Sequence, residues 1–298
     1  MTLSTLLARL IGGLIAATAV TAQLLNPLTS RFGIADAVQG AATSSMSAGL
    51  MAAAEQGDFS CGSGPAPQAL QALDQTSARH RARRSILQQV VVGVYANIYF
   101  NSLAKERLNY PTLLNQIVIL NRHFQPTNIS FSLIEVNWIV DDVWARGGDL
   151  SNLLIDNYRG NTSTLNLHII ESRNMLKQKY GQCTYPSAEK FTIDGCVIPA
   201  QTIPGAPGHT DGDAFQGKGL VHLLGHWFGL WHTTLGGCDD ERPDVADIPA
   251  SLPTYGCPES ADTCPNKPGM DPIHNFMGFN SEHCKREFSA GQAKRRGS

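Results

Sequence analysis

Residues 222–232 read His-Leu-Leu-Gly-His-Trp-Phe-Gly-Leu-Trp-His, and this stretch decides how the rest of the chain is understood. His222 and His226 lie four apart, so on a helix both imidazoles leave the same face, one turn above the other. Gly229 is free to take a left-handed backbone, which ends the helix and swings His232 back toward the pair. Zinc accepts three such nitrogens at about 2.0–2.1 Å and keeps a fourth position for water. Water held there still needs a proton acceptor beside it, and Leu223 has no lone pair. The spacing therefore predicts an intact metal site that lacks its base. The bland alternative is a surface or core pair of histidines, and Gly229 with His232 argues against it.

The chain has 298 residues, enough for one large domain or two modest ones. With 42% hydrophobic and 16% charged residues it reads as a cored globular protein rather than a disordered one. A net charge of −2 gives no electrostatic case for nucleic acid or for an acidic membrane surface. Lys294-Arg295-Arg296 reads as a solvated tail. At the other end, Arg9 precedes an apolar stretch from Leu10 to Val20, and Ala22 stands at a small-residue cleavage spacing. Residues 1–22 are thus expected to be a signal peptide cut before Gln23, since a membrane span needs about 20 apolar residues. The protein is expected to be secreted.

Secretion changes the meaning of the seven cysteines, which an oxidising compartment would pair. Cys183 and Cys196 bracket a short loop and suit one bridge; Cys238, Cys257, Cys264 and Cys284 crowd into the last quarter, where four cysteines allow three pairings. Cys61 is left over. Asn128-Ile129-Ser130 and Asn161-Thr162-Ser163 are N-glycosylation acceptor sequences.

Residues 23–65 are rich in Ala, Ser, Gly and Thr, and 66–84 suit a helix with a basic end, so 23–84 reads as a leader or weakly ordered arm. Arg81-Ala82-Arg83-Arg84 matches the site of a subtilisin-like processing protease, or equally an arginine-rich helix face. Strands are expected at 86–100, 129–140, 165–170 and 191–199. Pro111 opens a helix whose apolar residues Leu113, Leu114, Ile117 and Leu120 follow helical spacing. Strands alternating with helices imply an α/β layer on a mostly parallel sheet. The segment 85–232 is one subdomain, and 233–298, dense in Gly, Pro, Asp and Cys, is a loop-rich subdomain held by disulfides.

With these residues in view the chain resembles a metzincin metalloprotease, and within that group the pappalysin-type secreted metalloproteases of fungi. The helix motif of that group is HExxHxxGxxH, matched by 222–232 at every defined position except the second, where Leu223 stands. The flanks Gly217–Val221 and Thr233–Cys238, and the segment Asp244–Ala250, are similar as well. Asp271-Pro272-Ile273-His274-Asn275-Phe276-Met277 resembles the Met-turn, and the likeness covers roughly residues 60–293. It implies a metzincin fold with a twisted sheet, a backing helix and an active-site helix, ending in an irregular disulfide-linked subdomain. It also implies zinc on His222, His226 and His232, Met277 packed beneath the metal, and bridges Cys238–Cys264 and Cys257–Cys284. Extracellular proteins or peptides are the implied substrates, taken by a monomer.

Two departures change what the resemblance implies. Leu223 replaces the glutamate that serves as general base and acid in the group, which predicts weakened or absent proteolysis. Gly278 follows Met277 where relatives carry aspartate, which questions the hydrogen bonding of that turn. Asp211, Asp213, Asp239, Asp240 and Glu241 flank the helix, as solvated loop charges or as calcium ligands of the kind some relatives carry. Nothing in the sequence places one beside the water, so an active zinc endopeptidase would need a substitute base. A thiolate in the leader can ligate zinc and hold a protease latent, and a cut after Arg84 would remove Cys61 and leave six cysteines. A plain unpaired or intermolecular thiol is the other reading.

Overall fold

The computed structural model describes residues 61–63, 89–104, 106–171, 180–187, 191–209, 215–239 and 245–295, all within one unit running from Ala48 to Ser298. The expected signal peptide, most of the arm, the Arg81–Arg84 cluster, Asp211, Asp213, Asp240 and Glu241 lie outside the described residues.

A sheet of five strands carries the architecture: β1 (Val90–Phe100), β2 (Ile129–Val140), β3 (Thr164–Ile170), β4 (Gln182–Cys183) and β5 (Cys196–Pro199), in the order β2-β1-β3-β5-β4. β1 pairs in parallel with β2 and β3, and β3 with β5; only β4 runs antiparallel, against β5. Parallel neighbours need crossover connections, and helices at 110–124 and 150–156 lie in those from β1 to β2 and from β2 to β3. The expected strand at 191–199 is confined to β5, because 191–193 turn as a 3-10 segment before it. β4 and the helix α2 (Leu150–Asp156) are too short for periodicity to reveal.

Helix α1 (Tyr110–Phe124) begins where Asn109 accepts a hydrogen bond from the Thr112 amide at 2.9 Å, with Pro111 in its first turn. It buries Leu113, Gln116, Ile117, Leu120 and Phe124. Leu114 was expected on that stripe but is exposed, since its position one residue on from Leu113 turns it about 100° away. Helix α3 (Lys218–Trp227) packs against α1 and the end of the sheet, and every residue from Gly219 to Trp227 is buried. The main apolar core lies between these helices and one sheet face, from Val92, Val94, Ala96 and Ile98 across to Leu220, Leu223 and Leu224. A smaller core under α2 gathers Tyr99, Leu153, Leu154, Ile170 and Val197 on the other face.

Beyond His232 the chain has little regular structure until α4 (Ala290–Arg295). Cys238–Cys264 and Cys257–Cys284 tie this region, and Cys183–Cys196 clamps β4 to β5. Arg295 is not part of a solvated tail: it is 6% exposed and its guanidinium lies 4.9 Å from the centre of the Trp231 ring. Stacking on an aromatic face offsets part of the cost of burying that cation.

Candidate metal centre

The three histidines come together as their spacing predicts. Their Nε2 atoms are separated by 3.1 Å for His222 and His226, 3.1 Å for His226 and His232, and 3.3 Å for His232 and His222. Gly229 makes the third possible: at φ +82 it ends α3, its amide donates to the His226 carbonyl at 2.8 Å, and the Leu230 amide donates to the Gly225 carbonyl at 2.8 Å.

Proton placement then follows from the partners. His222 Nδ1 donates to the Phe276 carbonyl at 2.7 Å, and His226 Nδ1 donates to the Leu230 carbonyl at 2.9 Å. A carbonyl only accepts, so each Nδ1 carries the hydrogen and each Nε2 presents a lone pair. Burial holds both rings neutral: it keeps His222 well below the usual histidine range and brings His226 down to about 4. Two unprotonated nitrogens 3.1 Å apart share no hydrogen and repel each other unless a cation lies between them. The edge of a tetrahedron with arms of 2.0–2.1 Å is about 3.3 Å, which matches these separations. The donor set fits zinc.

A fourth donor completes it. Cys61 Sγ lies 3.3 Å from His232 Nε2 and 3.6 Å from His226 Nε2. The sulfur and the three nitrogens all fall within 4.8 Å of one another. Cys61 forms no disulfide and is 8% exposed. Burial, partly opposed by a hydrogen bond from the Ser63 backbone, pushes its thiol up to about 11. A divalent cation at the centre of the four donors would reverse that, because metal coordination releases the thiol proton.

Leu223 is fully buried in the apolar cluster that also contains Cys61. Among the described residues no carboxylate joins the four donor atoms, and Asp239 is exposed to solvent. Met277 is fully buried, and its sulfur occupies the space that a Cβ on Gly225 would need. The turn at Met277 and Gly278 is held by groups other than an aspartate: Asn275 Oδ1 accepts from the Met277 amide at 2.9 Å, and the Met277 carbonyl accepts from the Thr233 amide at 3.1 Å. Asn128 and Asn161 are both exposed.

Three residues of the surroundings escape sequence reasoning. Glu282 is buried, and its carboxylate accepts from the amides of Gln216 at 2.6 Å, Lys218 at 2.8 Å and Gly219 at 3.0 Å, capping α3 from more than 60 residues away. Lys285 is fully buried, and its charge acts on Glu282, Cys61, His222 and His226. Desolvation pulls its ammonium well below the usual lysine range, opposed by the charge of Glu282. Tyr185 places its hydroxyl 2.9 Å from His226 Nδ1. Only the three-dimensional arrangement marks any of them, since no local pattern distinguishes a capping glutamate 63 residues from its amide.

No family model matches the chain. An extracellular metalloprotease of Colletotrichum graminicola is 33% identical over 214 residues, covering 69% of this chain and 74% of that protein. One from Neurospora crassa is 32% identical over 259 residues, covering 80% and 86%. Among solved structures, mature mirolysin of Tannerella forsythia, in complex with a cleaved peptide, matches with a TM-score of 0.57 at 21% identity, covering 70% of this chain and 90% of that one. That likeness is one of fold: the mostly parallel sheet, the backing helix and the metal-site helix form the metzincin arrangement.

Proposed function

Because the chain belongs to the extracellular metalloproteases, we propose that it is a secreted, pappalysin-type zinc protein whose peptide-bond hydrolysis is weakened or abolished at Leu223. The observation that carries this reading is a fully buried leucine next to His222, with no carboxylate among the described residues in the donor cluster. Zinc, when bound, would lower the pKa of a water toward about 7 and polarise a scissile carbonyl. His222 and His226 are oriented for the metal by the Phe276 and Leu230 carbonyls, and burial keeps them neutral. Leu223 neither takes a proton from the nucleophile nor returns one to the leaving amine. Losing a positioned acid–base group costs about 10²–10⁴-fold, and one residue here would have served both steps. In this reading the partners are extracellular proteins or peptides, held rather than cut. The body divides after His232, with the metal helix in 85–232 and the Met-turn in 233–298.

The test compares two proteins that both carry Cys61→Ala, so that the fourth position is open: one retains Leu223 and the other has Leu223→Glu. Casein hydrolysis and bound zinc are measured for both. The expected result is equal zinc, silence with leucine, and activity at least about 100-fold higher with glutamate. Equal activity in the two shows that another base operates and overturns the reading. Absence of zinc from both, and also from the unaltered chain, overturns the metal site.

A further inference from the structure

We infer that Cys61 is a retained fourth ligand, making His222, His226, His232 and Cys61 a closed structural zinc centre instead of a catalytic site awaiting release. The inference rests on the proposed zinc site and adds what that site is for. Structural zinc sites have four protein ligands in tetrahedral array, whereas catalytic ones leave a position open. A thiolate 2.3 Å from zinc stands about 3.6 Å from nitrogens at 2.0–2.1 Å, and the observed sulfur–nitrogen separations are 3.3 and 3.6 Å.

The segment bearing this thiol is stitched into the fold. The Gly62 amide donates to the Gly181 carbonyl at 2.8 Å, just before β4. The Cys183 amide donates to Ser63 Oγ at 3.0 Å, and Cys183 is itself fixed by its disulfide to Cys196. Residues 61–63 are thus held beside β4 by two hydrogen bonds, with Cys61 and Gly62 buried there. Removing a blocking thiol is useful only if the exposed site can then act, and Leu223 supplies no base to act with. On binding, the Cys61 S–H bond breaks, a sulfur–zinc bond forms and the proton leaves to solvent. One negative charge then offsets half of the dication's charge in a pocket that also buries Lys285. Zinc in such a centre contributes folding free energy directly.

The full chain loaded with cobalt(II) provides the test, since thiolate ligation gives a sulfur-to-cobalt charge-transfer band that nitrogen ligands do not. The expected spectrum combines that band with intense tetrahedral d–d absorption. Cys61→Ser should abolish the charge-transfer band and loosen zinc by more than about 100-fold. Stoichiometric cobalt without the thiolate band in the unaltered protein overturns the inference and leaves the zinc site standing; no cobalt uptake at all overturns the zinc site. Mass spectrometry of the secreted protein provides a second arm. A mature N-terminus upstream of Cys61 supports retention, and one following Arg84 overturns it.

Discussion

Met277 seats its sulfur against the bare Cα of Gly225, in space that a methyl group on the helix would fill. The packing of α3 therefore depends on a missing side chain at Gly225 as much as on the methionine itself. Gly225→Ala is expected to lower stability by about 1–3 kcal/mol through overpacking. Urea unfolding checks it, and Gly225→Ala combined with Met277→Ala should cost less than the sum of the two single changes, because the two residues share one contact. Strict additivity of the two changes would refute the packing account.

Glu282 caps α3 with three amide hydrogen bonds, and its charge acts on the buried Lys285. Glu282→Ala leaves those amides and the ammonium without their carboxylate, and the expected cost is about 3–5 kcal/mol. Denaturant midpoints should show that Glu282→Ala with Lys285→Met is more stable than Glu282→Ala alone. A double variant no better than the single one would mean that the lysine does not depend on this carboxylate.

His168 gives the pH dependence a defined sign. It is buried in β3, bonded to the Tyr99 hydroxyl at 2.9 Å, and burial lowers it from 6.5 to about 3. Between those values the unfolded chain takes up a proton that the folded one refuses. Stability is therefore expected to fall on acidification from pH 6.5 toward 3, by about 1.4 kcal/mol per pH unit from this group. His168→Gln should flatten that part of the curve, as followed by thermal melts of the two proteins across the window.

Zinc removal should weaken the fold rather than merely silence it. At free zinc about 100 times the dissociation constant, binding adds about 2.7 kcal/mol. A strong chelator should therefore lower the melting temperature, and readded zinc should restore it. His232→Ala should melt at nearly the same temperature with and without the chelator. An unaltered protein indifferent to chelation would contradict a zinc-stabilised fold.

Much of the architecture is legible in the chain because its signals are local. β2 falls on the expected residues, and β3 begins one residue early, since their β-branched and apolar runs are bounded by turns. The strand expected at 191–199 shrinks to four residues, and Arg295 turns inward onto Trp231. Both outcomes depend on what distant segments offer as partners, which a window of neighbouring residues does not contain.

By itself the sequence determined that three histidine nitrogens converge and that a leucine follows the first of them. An i, i+4 pair, a glycine free to turn left-handed and the identity of residue 223 are properties of a few consecutive residues. Only the tertiary structure decided where Cys61 goes, 165 residues from His226, and that Glu282 caps the helix. Those contacts exist because packing the main core brings remote segments together once loop-closure entropy has been overcome, and no local periodicity encodes which segments will meet.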